Sequence, residues 1–179
     1  MELTSLIDSI QASALAEWMR TSVKAMPIVE AIHVLAAATV FGTILIVDLR
    51  LLGLPNTRRP FTRVSDEMLR LTWAAFVVSV ITGLLMFAAN AHTYFDNTAF
   101  RFKMLALLGA GLNMAIFQLI TFRSVRTWDQ AAPPPLAGRL AGAASIVIWV
   151  AVICLARWIG FTKGYDFDVP EDVNLNFEF

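Results

Sequence analysis

Four long apolar runs set the architecture. The first covers about residues 28–49 and is broken by Glu30, His33 and Asp48; the second, 71–89, and the third, 104–122, contain no charged residue; the fourth, 140–161, contains only Arg157. A helix needs roughly 20 predominantly apolar residues to cross a bilayer, so each run predicts one transmembrane helix. Four antiparallel spans with short connections predict an all-α, integral-membrane, up-and-down four-helix bundle forming one domain over residues 26–162. Ahead of it, Leu3, Leu6, Ile7, Ile10, Ala14, Leu15, Trp18 and Met19 recur at helical spacing, with Glu2, Asp8, Ser9, Ser13 and Glu17 between them. Over residues 1–25 this pattern predicts an N-terminal amphipathic interfacial helix, with packing of the same stripe on the bundle's own end or on a partner subunit as the equal alternative.

Local punctuation agrees with these boundaries. Pro27 falls where a helix starts and its missing N–H is not needed. Gly53 and Pro55 are placed to end the first span, and Pro133, Pro134 and Pro135 predict a stiff extended connector before the fourth. Residues 163–179 read as an acidic tail carrying Asp166, Asp168, Glu171, Asp172 and Glu178.

Composition narrows the class further. The 179 residues are 58% hydrophobic and 16% charged, with a mean hydropathy of +0.65, more apolar surface than one soluble core of this size uses. An ordinary soluble enzyme is therefore excluded. Fourteen Lys and Arg balance 14 Asp and Glu, so no basic field exists for nucleic acid. The single Cys154 rules out an intramolecular disulfide. The first 25 residues lack the uninterrupted apolar stretch of a cleavable signal peptide. Arg50, Arg58, Arg59, Arg63, Arg70, Arg123, Arg126 and Arg139 gather on one side of the predicted bundle. By the positive-inside rule that side is cytoplasmic, which predicts a multi-pass protein of the bacterial inner membrane with both termini in the periplasm.

Candidate chemistry lies among polar residues that a membrane makes costly. Glu30 and His33 share one face of the first span, and Asn90, His92 and Arg157 fall at a similar outer depth once the helices alternate in direction. Two readings compete. In one, Glu30 pairs with Arg157 and His33 braces neighbouring helices. In the other, the group lines an outer site with His33 as a haem or metal ligand and Glu30 fixing its tautomer. His33 and His92 could share one b-type haem only if the second helix continues past the apolar run; ligation by His33 alone fits the spacing no worse. Met19, Met26, Met86 and Met104 also lie toward the outer ends, which with imidazole suits copper, although Met more often fills gaps in apolar cores. At the inner end, Asp48 and Arg50 are expected to anchor the first helix at the headgroups. Gly138, Gly142 and Ser145 allow close helix approach, and Asn113 and Gln118 are expected to make interhelical hydrogen bonds. No Ser–His–carboxylate arrangement supports hydrolysis, and no Gly-rich loop followed by Lys and Ser or Thr supports nucleotide binding.

The stretch Val29-Glu30-Ala31-Ile32-His33-Val34-Leu35-Ala36, the segment Asp48-Leu49-Arg50-Leu51-Leu52-Gly53 and the stretch Asn97-Thr98-Ala99-Phe100-Arg101-Phe102-Lys103 resemble a family of uncharacterised four-span bacterial inner-membrane proteins. The resemblance covers most of the chain and implies the fold but no reaction. More distantly, the His-bearing first helix and its small-residue face are similar to the membrane part of copper-resistance protein D and to b-type cytochrome subunits. With two His in the chain, two-haem transfer across the membrane is not implied. Together these readings predict an outer-side, redox-linked site for a single haem b or a quinone. The alternative is a non-catalytic anchor for a periplasmic or membrane partner, with copper handling third and a homo-oligomer as a further arrangement.

Overall fold

A computed structural model describes residues 2–54, 60–129 and 134–162. All regular structure among them is helical: α1 (Glu2–Gln11), α2 (Ala14–Thr21), α3 (Ala25–Leu51), α4 (Phe61–Ala89), α5 (Ala91–Asp96), α6 (Thr98–Ile116), α7 (Val125–Trp128) and α8 (Leu136–Thr162). Helix α6 runs on through a π-helical turn at Phe117–Thr121 and a 3₁₀ turn at Phe122–Ser124. Four helical stretches, Ala25–Leu51, Phe61–Ala89, Thr98–Ser124 and Leu136–Thr162, are long and apolar enough to cross a membrane. The acidic tail of residues 163–179, Pro55, Arg58, Arg59 and Pro133 lie outside the described residues.

Each span outruns its apolar core, because the ends are fixed by capping rather than by hydropathy. Helix α4 begins ten residues before the apolar run. Pro60 precedes it and offers no side-chain acceptor, so the cap comes from a distant segment. The Thr62 amide donates to Asp129 Oδ1 at 2.8 Å, the Thr62 hydroxyl to Oδ2 at 3.0 Å, and the Phe61 amide to the Asp129 carbonyl at 3.0 Å. A carboxylate at this position satisfies first-turn donors and complements the helix dipole. Asn97 caps α6 by accepting from the Phe100 amide at 3.1 Å, and its own amide donates to the Thr162 hydroxyl at 2.9 Å, tying α6 to the end of α8. Gly53, at φ +88°, closes α3. Its amide donates to the Arg50 carbonyl at 3.2 Å and that of Leu54 to the Leu49 carbonyl at 2.9 Å, the paired bonds of a left-handed helix stop.

The buried positions of α8 are Gly138, Gly142, Ser145, Val152 and Ile159, and those of α4 include Phe61, Ser65, Thr72, Ala75, Thr82 and Ala89. Both sets follow a seven-residue repeat built mostly from small side chains, which suits close packing where lipid gives no hydrophobic drive between helices. α4 packs on α3, α3 on α8, and α8 on α6, whereas α4 and α6 form no such packed interface. The bundle is thus a row folded back on itself with one side left open.

The N-terminal segment is two helices rather than one. Ser13 breaks it and caps α2, its hydroxyl oxygen accepting from the Ala16 amide at 3.3 Å. α1 packs on α5, and α2 on α4 and α3. Ile7, Ala16 and Met19 are buried there, while Leu6, Leu15 and Trp18 remain exposed. Part of the stripe therefore closes the bundle's own end and part faces outward.

Candidate functional site

The polar residues of the α1/α5 end share a depth, but the structure does not gather them into one site. His33 lies against α4. Its Nδ1 is 3.0 Å from the Ser79 carbonyl and 3.0 Å from the Thr82 hydroxyl oxygen, whose own hydrogen goes to the Val78 carbonyl at 2.7 Å. Both partners accept, so Nδ1 carries the hydrogen and Nε2 is the lone-pair nitrogen of the neutral ring. Gly83 makes room for the imidazole: a Cβ there would sit 3.2 Å from His33 Cε1.

His92 faces elsewhere. Its Nε2 is 2.7 Å from Asp8 Oδ1 and its amide donates to Gln11 Oε1 at 3.1 Å, so it fastens α5 to α1. Asn90 ends α4, its amide donating to the Phe87 carbonyl at 3.1 Å. Arg157 is exposed with its guanidinium over the Phe161 ring at 4.9 Å, and no ion pair joins it to Glu30. It precedes the buried Ile159 by two positions, which turns it to the opposite side of α8. The expected contact of Glu30 or His33 with Arg157 is therefore absent. The charges whose field reaches His33 are Lys103 and Glu30. Lys103 was missed in the sequence; its place in the second turn of the third span, at the depth of His33, was the signal that could have found it.

Two further expectations change with this geometry. His33 and His92 make separate contacts to α4 and α1, so they are not brought together on one iron. Met19 packs on Ala25 and Ala89, with Met26 and Leu85 beside them, in an ordinary apolar cluster. Among the described residues no group of three His, Cys, Asp or Glu side chains is placed to hold a metal ion.

We expect His33→Gln to keep the fold, since the Gln amide can still donate across the α3/α4 contact and one such interhelical bond is worth at most about 1 to 2 kcal/mol. Thermal unfolding in detergent measures this. Loss of folded protein would show that the imidazole does more than brace the two helices.

The opposite end carries the larger feature. Asp48 and Arg50, expected at the headgroups, are both buried, at 5% and 4% exposure. The reason is the approach of α8. Gly142 comes so near α3 that a Cβ on it would lie 3.0 Å from the Asp48 carbonyl oxygen and 3.1 Å from Leu51 Cβ. That contact turns Asp48 toward the bundle, where its carboxyl and Ser145 line the same space. Arg50 reaches the Asp129 carbonyl through Nη2 at 3.4 Å. Leu51, Phe61, Val125 and Trp128 form an apolar plug below them.

Above the plug lies a cleft of about 220 Å³ walled by all four spans. α3 contributes Val40, Ile44 and Asp48; α4 contributes Ser65, Thr72, Trp73 and Phe76; α6 and its π turn contribute Gly111, Asn113, Phe117 and Gln118; α8 contributes Ser145 and Trp149. The cleft lies where α4 and α6 fail to pack. Asn113 donates to the Ala141 carbonyl at 3.1 Å, the interhelical bond expected of it, and the Thr72 and Thr43 hydroxyls meet at 2.7 Å between α4 and α3. Gln118 stands on the cleft wall. A single-turn π segment often marks a functional position in a helix, and here it sets Phe117 and Gln118 on that wall.

The fold and its polar interior define a four-span α-helical membrane protein with a cleft between its helices. Within that class, the chain belongs to a family of unknown function, DUF6644, whose model matches residues 19–162. No curated protein and no solved structure matches it.

Proposed function

We propose that the protein is a redox-linked membrane protein that binds a quinone-class molecule in the cleft of the Asp48 half. The observation that carries this reading is the cleft itself: a ring-sized space with aromatic walls and a few hydrogen-bonding groups, lying where α4 and α6 do not pack. A molecule dissolved in the bilayer can enter through such a gap without crossing water, and Trp73, Phe76, Phe117 and Trp149 offer faces and edges to a flat ring. A volume of about 220 Å³ suits one ring with its apolar tail left outside. In the orientation that the Arg distribution favours, in a bacterial inner membrane, the cleft opens in the cytoplasmic half.

This moves the site from the outer half, where the polar residues of the sequence pointed. The haem reading depends on His33. That ring is bound to α4 through Nδ1 and packs beside Gly83, and no His lines the cleft. These residues do not favour a haem there.

The test uses the whole protein in nanodiscs. A short-tail benzoquinone should quench tryptophan fluorescence saturably, because Trp73 and Trp149 line the cleft. Gly111→Leu should weaken that binding at least tenfold with no loss of fold, since Gly111 lines the cleft and nothing lies within 4 Å of a Cβ on it. Quenching that rises linearly and equally in both proteins would mean partition into lipid, and would end the proposal.

A further inference from the structure

The cleft is polarised along the bundle axis. Its plug end is set by Phe61, whose ring packs on that of Phe117 with 6.0 Å between centroids. Ser65 on α4 and Asn113 on α6, each four residues from that contact, lie about 6 Å above it at the rise of an α-helix, and Gln118 lies level with it. Asn113 is bonded to the Ala141 carbonyl at 3.1 Å. Trp149, eight residues further along α8, is therefore about 18 Å above the plug, level with Trp73 on α4, and Phe76 follows within a turn. Asp48 and Ser145 fall between the two levels. The Thr72 hydroxyl, near the aromatic level, is already committed to Thr43 and the Met68 carbonyl. Side-chain amides thus mark the plug end, and aromatic walls mark the middle of the span.

Access is polarised in the same sense. Trp73 and Phe76 line the cleft yet are 50% and 37% exposed, whereas Ser65, Asp48 and Ser145 are buried. The seam between α4 and α6 therefore opens to lipid at the aromatic level and is closed toward the plug of Leu51, Phe61, Val125 and Trp128. Gln118 has no hydrogen-bond partner among the described residues, and both atoms of its amide keep accessible surface. Asn113 has a second N–H besides the one given to Ala141. An amide offers a donor and an acceptor, so Gln118 can serve a ring carbonyl or a ring hydroxyl alike. A ring seated the other way round would press its chain on the closed plug and leave its oxygens among indoles, which accept nothing. We propose that the ring sits at the plug end, hydrogen-bonded by Gln118 and Asn113, and that its chain passes Trp73 and leaves through the α4/α6 seam near the middle of the span; this rests on the quinone-class reading above. The ligand class is then an amphiphile with its polar atoms grouped at one end and a single apolar chain at the other. Gln118 is a positioning residue, not a redox group.

The experiment photolabels the intact protein in nanodiscs with two decyl-chain benzoquinones, one carrying an azide on the ring and the other a diazirine at the chain end. The azide should label the segment of Asn113 and Gln118 or that of Ser65. The diazirine should label the segment of Trp73 and Phe76, and excess unlabelled short-tail benzoquinone should displace both. Exchange of the two patterns, or labelling of both levels by both probes, overturns the orientation while leaving the quinone site standing. Labelling that the unlabelled quinone does not displace ends the site itself. Gln118→Leu should weaken binding of the short-tail benzoquinone about tenfold, as loss of a hydrogen bond at the ring does, and should move the azide label away from the plug. Unchanged affinity and an unchanged label in that variant overturn the role of Gln118. Should Gln118→Leu not fold, the wild-type labelling pattern decides.

Discussion

Replacing Gly142 by valine will drive α8 away from α3 and lower the thermal midpoint of the protein more than any other single change in the small-residue face of α8. The neighbours that a side chain would meet are the Asp48 carbonyl oxygen and Leu51 Cβ, at 3.0 and 3.1 Å from the position of a Cβ. Neither is the far end of a flexible side chain, so the backbone of one helix has to move. Forcing extra methyl groups into such a contact costs about 1 to 3 kcal/mol and at times more. Gly142→Ala should fall between valine and wild type. Gly109 provides the comparison, because nothing lies within 4 Å of a Cβ on it. Gly109→Ala should leave the midpoint unchanged or raise it, as alanine is the better helix former. Equal melting of Gly142→Val and wild type would mean that α3 and α8 are not in the close contact described. The effect should extend to the cleft, since the same approach turns Asp48 toward Ser145.

Removal of the Phe61 ring should be comparably severe for a different reason. Phe61 is fully buried at the first position of α4, with its ring centroid 5.2 Å from that of Trp128 and 6.0 Å from that of Phe117. It lies in the charged, early part of α4, ahead of the apolar run and next to Thr62 and Asp129. Water rather than lipid is the reference there, so the hydrophobic effect acts in full. Phe61→Ala leaves a cavity and should cost about 3 to 5 kcal/mol, read as a lowered midpoint in thermal or denaturant unfolding. Phe61→Leu should retain much of that. Because Phe117 touches Phe61 and also lines the cleft, the alanine variant should weaken ring binding as well. A melt unchanged within about 1 kcal/mol, well below the usual cost of such a cavity, would contradict a packed plug.

The two ends of the bundle differ in how far they were legible. Spans, their order and their alternation follow from apolar runs of membrane length, a property each segment has by itself whatever its neighbours do. Helix limits were less legible, because Asp129 caps α4 from a segment 67 residues away in sequence. No local signal at Pro60 names that partner. At the His33 end, depth could be counted from the rise of a helix, and Glu30, His33, Asn90, His92 and Arg157 do lie toward one end of the bundle. Direction around each helix could not be counted. His33 turned to Ser79, His92 to Asp8 and Arg157 to Phe161.

Asp48 carries the same lesson. At the end of an apolar run, beside Arg50 and ahead of an Arg-rich connection, it reads as a headgroup anchor. Its burial depends on Gly142, nearly a hundred residues on, admitting the α3 backbone. The sequence by itself determined that this is a four-span helical membrane protein with an amphipathic N-terminal segment, because the cost of polar backbone and charge in hydrocarbon is paid locally, one helix at a time. Which faces meet was decided only in three dimensions. Small residues at seven-residue spacing set α4, α3, α8 and α6 in a row, left α4 and α6 apart, and so placed Asp48 on the wall of a cleft, since contact between helices depends on the complementary shape of two surfaces and neither surface alone contains it.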